Sequence, residues 1–133
     1  MIKHVDIYCD GSCSHNPGPG GFGAILIYNG IEKEIHGSCT ETTTNNKMEI
    51  IAAIQALRAL KYKCDVTIYT DSDYVVKTMN GVYKQGKNKE LWKQLEDEIA
   101  KHTVKFVWVH GHNGNEYNER VDKLAKLGWS NNE

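Results

Sequence analysis

Two short β-rich runs, VDIYCDGS (Val5–Ser12) and VTIYTDSD (Val66–Asp73), constrain the fold more than any other feature of the chain. Each contains I-Y-x-D followed by a small residue. Between them lies NKMEIIAAIQALRAL (Asn46–Leu60), rich in Ala, Leu and Met, free of Gly and Pro, and apolar at helical spacing. Two strands joined through a helix pair in parallel by a right-handed crossover. Near-continuous apolar strands belong in the middle of a sheet. The pattern therefore predicts a parallel central pair whose C-terminal ends lie side by side, roughly 5 Å apart.

The remaining segments fill in around that pair. Ile2–Cys9 reads as the first strand, His15–Gly21 (HNPGPGG) as the turn after it, and Gly23–Tyr28 as the second strand. Asn29-Gly30 is a hairpin signal, and Ile31–Gly37 (IEKEIHG) alternates like a strand with one wet face. Ser72 to about Tyr83, closed by Asn80-Gly81 or Gly86, and Asn88–His102 read as helices, the second with Leu91, Trp92, Leu95 and Ile99 inward. Val104–Val109 alternates Val104, Phe106 and Trp108 as a last strand, and Tyr117–Gly128 is a closing helix. The expected fold is α/β in the order βββαβααβα. Its mixed five-stranded sheet combines a three-stranded antiparallel meander with two parallel strands and carries helices on both faces. With no internal repeat, residues 1–133 read as one domain.

Composition narrows the setting. No apolar run approaches the roughly 20 residues of a membrane span, and the N-terminus has no signal-peptide pattern, so the cytoplasm is expected. The four cysteines (Cys9, Cys13, Cys39, Cys64) are then expected as thiols, and their spacing does not suit zinc. Net charge is −1, but five lysines against one acid fall between Lys77 and Lys93. Such a run is an ordinary solvated face unless other residues point to a polyanion. Gly18–Gly23 matches G-x-G-x-x-G, yet a strand follows it and a proline sits inside it, so it reads as a glycine-rich turn.

The acids carry the chemistry. Asp10 and Asp71 end the two parallel strands, where open α/β sheets bind ligands. Carboxylates held that close repel, and a divalent cation removes the conflict. Glu49 heads a stripe of Ala52, Ala53, Ala56 and Leu60. A capping box with Asn46 as N-cap explains it as well as a ligand role does; its place beside two inward aspartates favours the ligand. Asp122 has Asn118, Val121 and Ala125 at helical spacing, which puts it at the margin of a buried face. His112, in a loop of Gly and Asn, is either an exposed loop residue or a mobile proton carrier.

Four motifs in order, D-G-S-x-x-x-N-P-G-P-G-G (Asp10–Gly21), T-T-N-N-K-M-E (Thr43–Glu49), T-D-S (Thr70–Ser72) and G-H-x-G-x-x-x-N-E-R-x-D (Gly111–Asp122), resemble ribonuclease H of the cellular type 1, bacterial style. The resemblance runs from about Asp6 to Leu127. It implies an endonuclease that cuts the RNA strand of RNA–DNA hybrids with four carboxylates and two Mg²⁺ ions. By position the carboxylates are Asp10, Glu49, Asp71 and Asp122, with His112 assisting proton movement and product release. In-line attack by water leaves 5′-phosphate and 3′-hydroxyl ends, and Asp10 is the expected bridging ligand.

The resemblance also implies substrate contacts. Asn16, Asn45 and Asn46 match positions that read the 2′-hydroxyl side of the hybrid. Cys13 lies near its backbone, Thr44 suits a DNA phosphate, and Ser72 belongs to the T-D-S motif beside the site. The family's basic protrusion is reduced here to NGVYKQGKNKE, in which Tyr83, Lys84, Lys87 and Lys89 are the remaining candidate contacts. Val82 stands where the family has an aromatic, and Asp73 where an amide is common. Weaker hybrid binding and a preference for Mn²⁺ over Mg²⁺ are therefore expected, for a monomer acting on the hybrid away from membranes. The rivals are a DNA-cutting resolvase, transposase or integrase core, a silent hybrid-binding module, and a structural domain with scattered acids. The first gives no reason for the asparagines, the second predicts a lost carboxylate, and the third needs four coincidences.

Overall fold

The structure, a computed structural model, describes residues 2–110 and 115–130. Strands β1 (Lys3–Cys13), β2 (Gly18–Tyr28) and β3 (Ile31–Thr43) form the meander. They are followed by α1 (Asn45–Arg58), β4 (Cys64–Thr70), α2 (Asp73–Met79), α3 (Lys89–Ile99), β5 (Thr103–Trp108) and α4 (Glu116–Ser130). The sheet order is β3-β2-β1-β4-β5. β1 pairs antiparallel with β2 and parallel with β4, which pairs parallel with β5. This is the expected mixed five-stranded α/β sheet, with β1 at its centre.

One face of the sheet builds the main core. Val5, Ile7 and Cys9 of β1 and Val66 and Ile68 of β4 pack with Ile50, Ala53, Ile54 and Leu57 of α1, and Trp92 and Leu95 of α3 close the cluster. The other face is covered by α4, which lies so close that a Cβ at Gly21 would overlap the carbonyl of Ala125. The glycine-rich stretch is strand from Gly18 onward, paired with β1 and β3, rather than the turn expected through Gly21, and at Gly21 and Gly23 it lies directly against α4. Only residues without side chains let a helix rest directly on the strand.

Several element ends differ from expectation. The N-cap of α1 is Thr44, not Asn46; its hydroxyl accepts from the Lys47 N–H at 3.2 Å, so the Asn46 capping box does not form. α2 ends at Met79, closed at Asn80-Gly81, the earlier of its two expected stops; Gly81 at φ +82° turns the chain and the Val82 N–H donates to the Lys77 carbonyl at 2.8 Å. Tyr83 therefore lies outside the helix. On β5, Phe106 is buried, but Trp108 is 43% exposed at the end of the edge strand. All four cysteines are free. No helix among the described residues is long and apolar enough to cross a membrane.

Gly11 marks the closest approach of β1 to α1, where a Cβ would overlap the Met48 backbone. Gly11→Ala is expected to lower the unfolding free energy by about 1–3 kcal/mol, the usual cost of overpacking. Urea denaturation reads this directly; an unchanged midpoint would show that α1 can shift off the strand.

Candidate active site

The pairing of β1 with β4 brings the first two acids together. Tyr8 is registered against Tyr69, so Asp10 and Asp71 lie two residues further along each chain, on the face that α4 covers. Asp10 is 5% exposed and Asp71 half-buried. Glu49 reaches them from the first turns of α1, and its Oε1 accepts the Gly11 N–H at 2.7 Å. Ser72, the N-cap of α2, also hydrogen-bonds Glu49. Glu49 is thus held toward the aspartates rather than folded back on its own helix. Ligand atoms of Asp10, Glu49 and Asp71 all lie within 4.8 Å of one another.

Asp122 stands apart from this trio. It lines a small cleft of about 120 Å³ with Asp71, Asn118, Glu119 and Lys123, and its Oδ2 meets Lys126 Nζ at 3.0 Å. Its charge is nonetheless felt at Asp10. Asn118, Val121 and Ala125 are buried as the helix spacing predicted, which fixes Asp122 at the helix margin. His112 lies outside the described residues.

The close packing of the three acids shows in their electrostatics. Burial first, then the Glu49 charge, pushes the Asp10 carboxyl far above its ordinary range. Burial pushes Glu49 up to about 7, against the opposing hydrogen bond from Asp10. Three hard oxygen donors facing one point, with protons held where carboxylates normally lose them, fit a divalent cation of the Mg²⁺ or Mn²⁺ type.

A second group of expected residues gathers beside the N-terminus of α1. Asn16, Thr44, Asn45, Asn46 and Lys87 line one groove with Lys47 and Asn88. Lys89 lines the neighbouring surface, which shares Lys47 and Asn88. The side-chain oxygen of Asn45 accepts the Cys13 N–H at 2.9 Å, and that of Asn16 accepts the Asn45 N–H at 3.2 Å. Both amides thus keep their NH₂ groups as donors. Cys13 contributes this backbone N–H while its thiol is buried. Lys47 is not among the residues the sequence pointed to, although its place in T-T-N-N-K-M-E puts it beside the asparagines.

Other expected contacts are placed elsewhere. Tyr83 donates to Asp73 Oδ2 at 3.2 Å and lies under Lys77, while Lys84 is exposed outside both grooves. Asp73 also pairs with Lys77 at 3.3 Å, so its charge is spent on α2 and not added to the trio. That removes one of the three departures behind the expectation of weaker binding and a preference for Mn²⁺. Trp108 has a role the sequence did not reveal: its indole N–H donates to the Asp71 carbonyl at 3.2 Å.

With this geometry in place, comparison with known proteins is decisive. A family model described as RNase H matches residues 2–130. The chain belongs to the RNase H family. A Ribonuclease H of Hahella chejuensis is 51% identical, covering 96% of this chain and 94% of the relative. One of Francisella philomiragia is 49% identical over 92% and 89%. Among solved structures, LC11-RNase H1 in complex with an RNA/DNA hybrid superposes with TM-score 0.85 at 28% identity, over 96% of this chain and 98% of that one. LC9-RNase H1, a type 1 RNase H with the type 2 active-site motif, gives TM-score 0.85 at 29% identity, over 98% and 74%. The chain is accordingly a ribonuclease H enzyme with an acidic cluster able to hold a cation.

The raised carboxyls set a sign for stability. Folded Asp10 and Glu49 bind protons that the unfolded chain releases near its ordinary carboxylate values of about 4. Metal-free stability therefore falls as pH rises from about 4 through 7 and beyond. Asp10→Asn removes the conflict and is expected to raise the neutral-pH melting temperature of the metal-free protein by roughly 3–5 °C for each kcal/mol gained. Thermal melts in chelator at pH 5.5 and 8 check both; a wild type more stable at pH 8 would refute the sign.

Proposed function

We propose that residues 1–133 act as one catalytic unit that hydrolyses the RNA strand of RNA–DNA hybrids with little sequence specificity. The observation that carries this reading is the Asp10–Glu49–Asp71 trio at the ends of the parallel strands, beside a groove of amide donors and lysines. Asp10, Glu49 and Asp71, with Asp122 across the cleft, would hold Mg²⁺, with Mn²⁺ as a substitute. When bound, two such cations would supply the Lewis acidity that activates a water for in-line attack and offsets charge on the leaving oxygen, giving 5′-phosphate and 3′-hydroxyl ends. Asp10 feels Glu49, Asp71 and Asp122 together, which makes it the choice for the shared ligand.

The rest of the work falls to positioning. Asn16 and Asn45 present amide donors to the 2′-hydroxyls that distinguish the RNA strand. Thr44 already spends its hydroxyl oxygen on the helix cap, so a phosphate there would meet the hydroxyl proton and the N-terminal amides of α1. Lys47, Lys87 and Lys89 supply charge to the backbone, replacing a longer basic protrusion with three residues on one groove and the surface adjoining it. His112 would carry a proton near neutral pH.

Cleavage of a labelled hybrid beside single-stranded RNA, double-stranded RNA and double-stranded DNA, in Mg²⁺ and in Mn²⁺, tests the reading. Only the hybrid should be cut, and Asp71→Asn should be slower by at least about a hundredfold, the cost of removing one preorganised electrostatic group. Full activity in Asp71→Asn would dismiss the cation assignment. Lys87→Ala and Lys89→Ala should each raise KM, leave kcat nearly unchanged and shallow the salt dependence by about one unit of slope. His112→Ala should change the pH–rate profile; an identical profile would return that histidine to an ordinary loop role.

A further inference from the structure

Tyr8, Tyr69 and Tyr117 form a ladder that the proposed chemistry does not use. The ring of Tyr8 stacks on Tyr69 with centroids 4.7 Å apart and planes 15° from parallel, and on Tyr117 at 4.9 Å and 23°. Each rung belongs to an element that carries one of the acids or ends just before it. Tyr8 is two residues before Asp10 on β1, Tyr69 two residues before Asp71, and Tyr117 lies on α4 ahead of Asp122. Residues two apart on a strand share a face, so two rungs sit directly below the two strand-end carboxylates.

The third rung is anchored from outside. The Tyr117 hydroxyl donates to Glu32 Oε2 at 2.8 Å. Arg120 sits 5.5 Å over the Tyr117 ring and donates to Glu32 at 2.8 Å and Glu34 at 2.6 Å, both on β3. The start of α4 is therefore gripped between the centre of the sheet and its edge. Asp122 follows within two residues of Arg120, and it is the one acid not already drawn into the trio.

We propose that the tyrosine ladder is a positioning device for the cation site. By fixing the spacing between α4 and the β1–β4 pair, it sets how Asp122 faces Asp10 and Asp71 across the cleft. This rests on the reading that these carboxylates hold divalent cations. Stacked rings are well matched to such a role, because face-to-face contacts hold a distance at the sheet surface without adding charge beside the carboxylates. The asparagine groove is lined by Asn16 of the β1–β2 turn, by Thr44 to Lys47 at the start of α1 and by Lys87 and Asn88 before α3, none of them a rung, so substrate binding stands apart from the ladder.

The test is Mn²⁺ titration calorimetry on metal-free wild type, Tyr117→Leu and Tyr117→Phe, paired with KM and kcat on hybrid. Tyr117→Leu should bind Mn²⁺ about 10- to 100-fold more weakly, the range for residues that orient ligands, and should lower kcat at limiting Mn²⁺ while leaving KM unchanged. Tyr117→Phe keeps the stack and should retain wild-type Mn²⁺ affinity. A purely structural role would lower the melting temperature of Tyr117→Leu without moving its Mn²⁺ affinity, and that result overturns the proposal. So does a Phe variant as impaired as Leu. If Tyr117→Leu does not fold, Tyr69→Leu at the opposite end of the ladder is judged by the same affinities. Wild type that takes up no Mn²⁺ overturns the underlying cation reading and the ladder with it; uptake that is unchanged by the Leu variants overturns the ladder alone.

Discussion

The parallel pairing of β1 with β4 is the constraint on which the rest of the molecule depends. Hydrophobic burial of Val5, Ile7, Val66 and Ile68 against α1 drives the two strands together. The alternation of side chains then leaves no choice about Asp10 and Asp71, which must share the opposite face. The core thus forces like charges into contact at the sheet's end. Glu49, tied to the Gly11 N–H, makes the conflict worse. A protein gains nothing in stability from such an arrangement; its value lies in what the acids can hold.

The fold was legible because its signals are local and redundant. The α1 pattern, the Asn29-Gly30 turn and the two I-Y-x-D runs each specify one element, and together they leave one sheet order. What was not legible follows from contacts between distant segments. Gly18–Gly21 reads as turn because glycines and a proline have no intrinsic preference for strand; its pairing with β1 and β3, and the seat of α4 on Gly21, are contacts between distant segments. The N-cap of α1 fell to Thr44 rather than Asn46 because three polar residues in a row, Thr44 to Asn46, can all cap and only geometry decides among them.

At the site, the sequence located the acids but not their company. Asp10, Glu49 and Asp71 were found from strand ends and a helix stripe, and the structure gathers them. Asp73 could not be read, because its partners Lys77 and Tyr83 depend on how the chain turns after α2. The echo between the two I-Y-x-D runs drew attention to its aspartates, whereas its tyrosines are what the register stacks. Alternation placed Trp108 on one face of the last strand with Val104 and Phe106; at the end of an edge strand it is left partly exposed, and its indole buttresses the Asp71 backbone.

Every partnered pair between β1 and β4 is separated by sixty-one residues. Closing so long a loop is entropically costly and is repaid only when α1 is already packed in between. The meander and α1 can gather from nearby contacts, but the acid cluster cannot exist until β4 has docked and the chain has committed to its native topology. Assembly of the acidic cluster is thereby tied to completion of the fold. A partly folded or still-emerging chain carries the same acids scattered along it, and gains a place where they could hold a cation together only once it is whole.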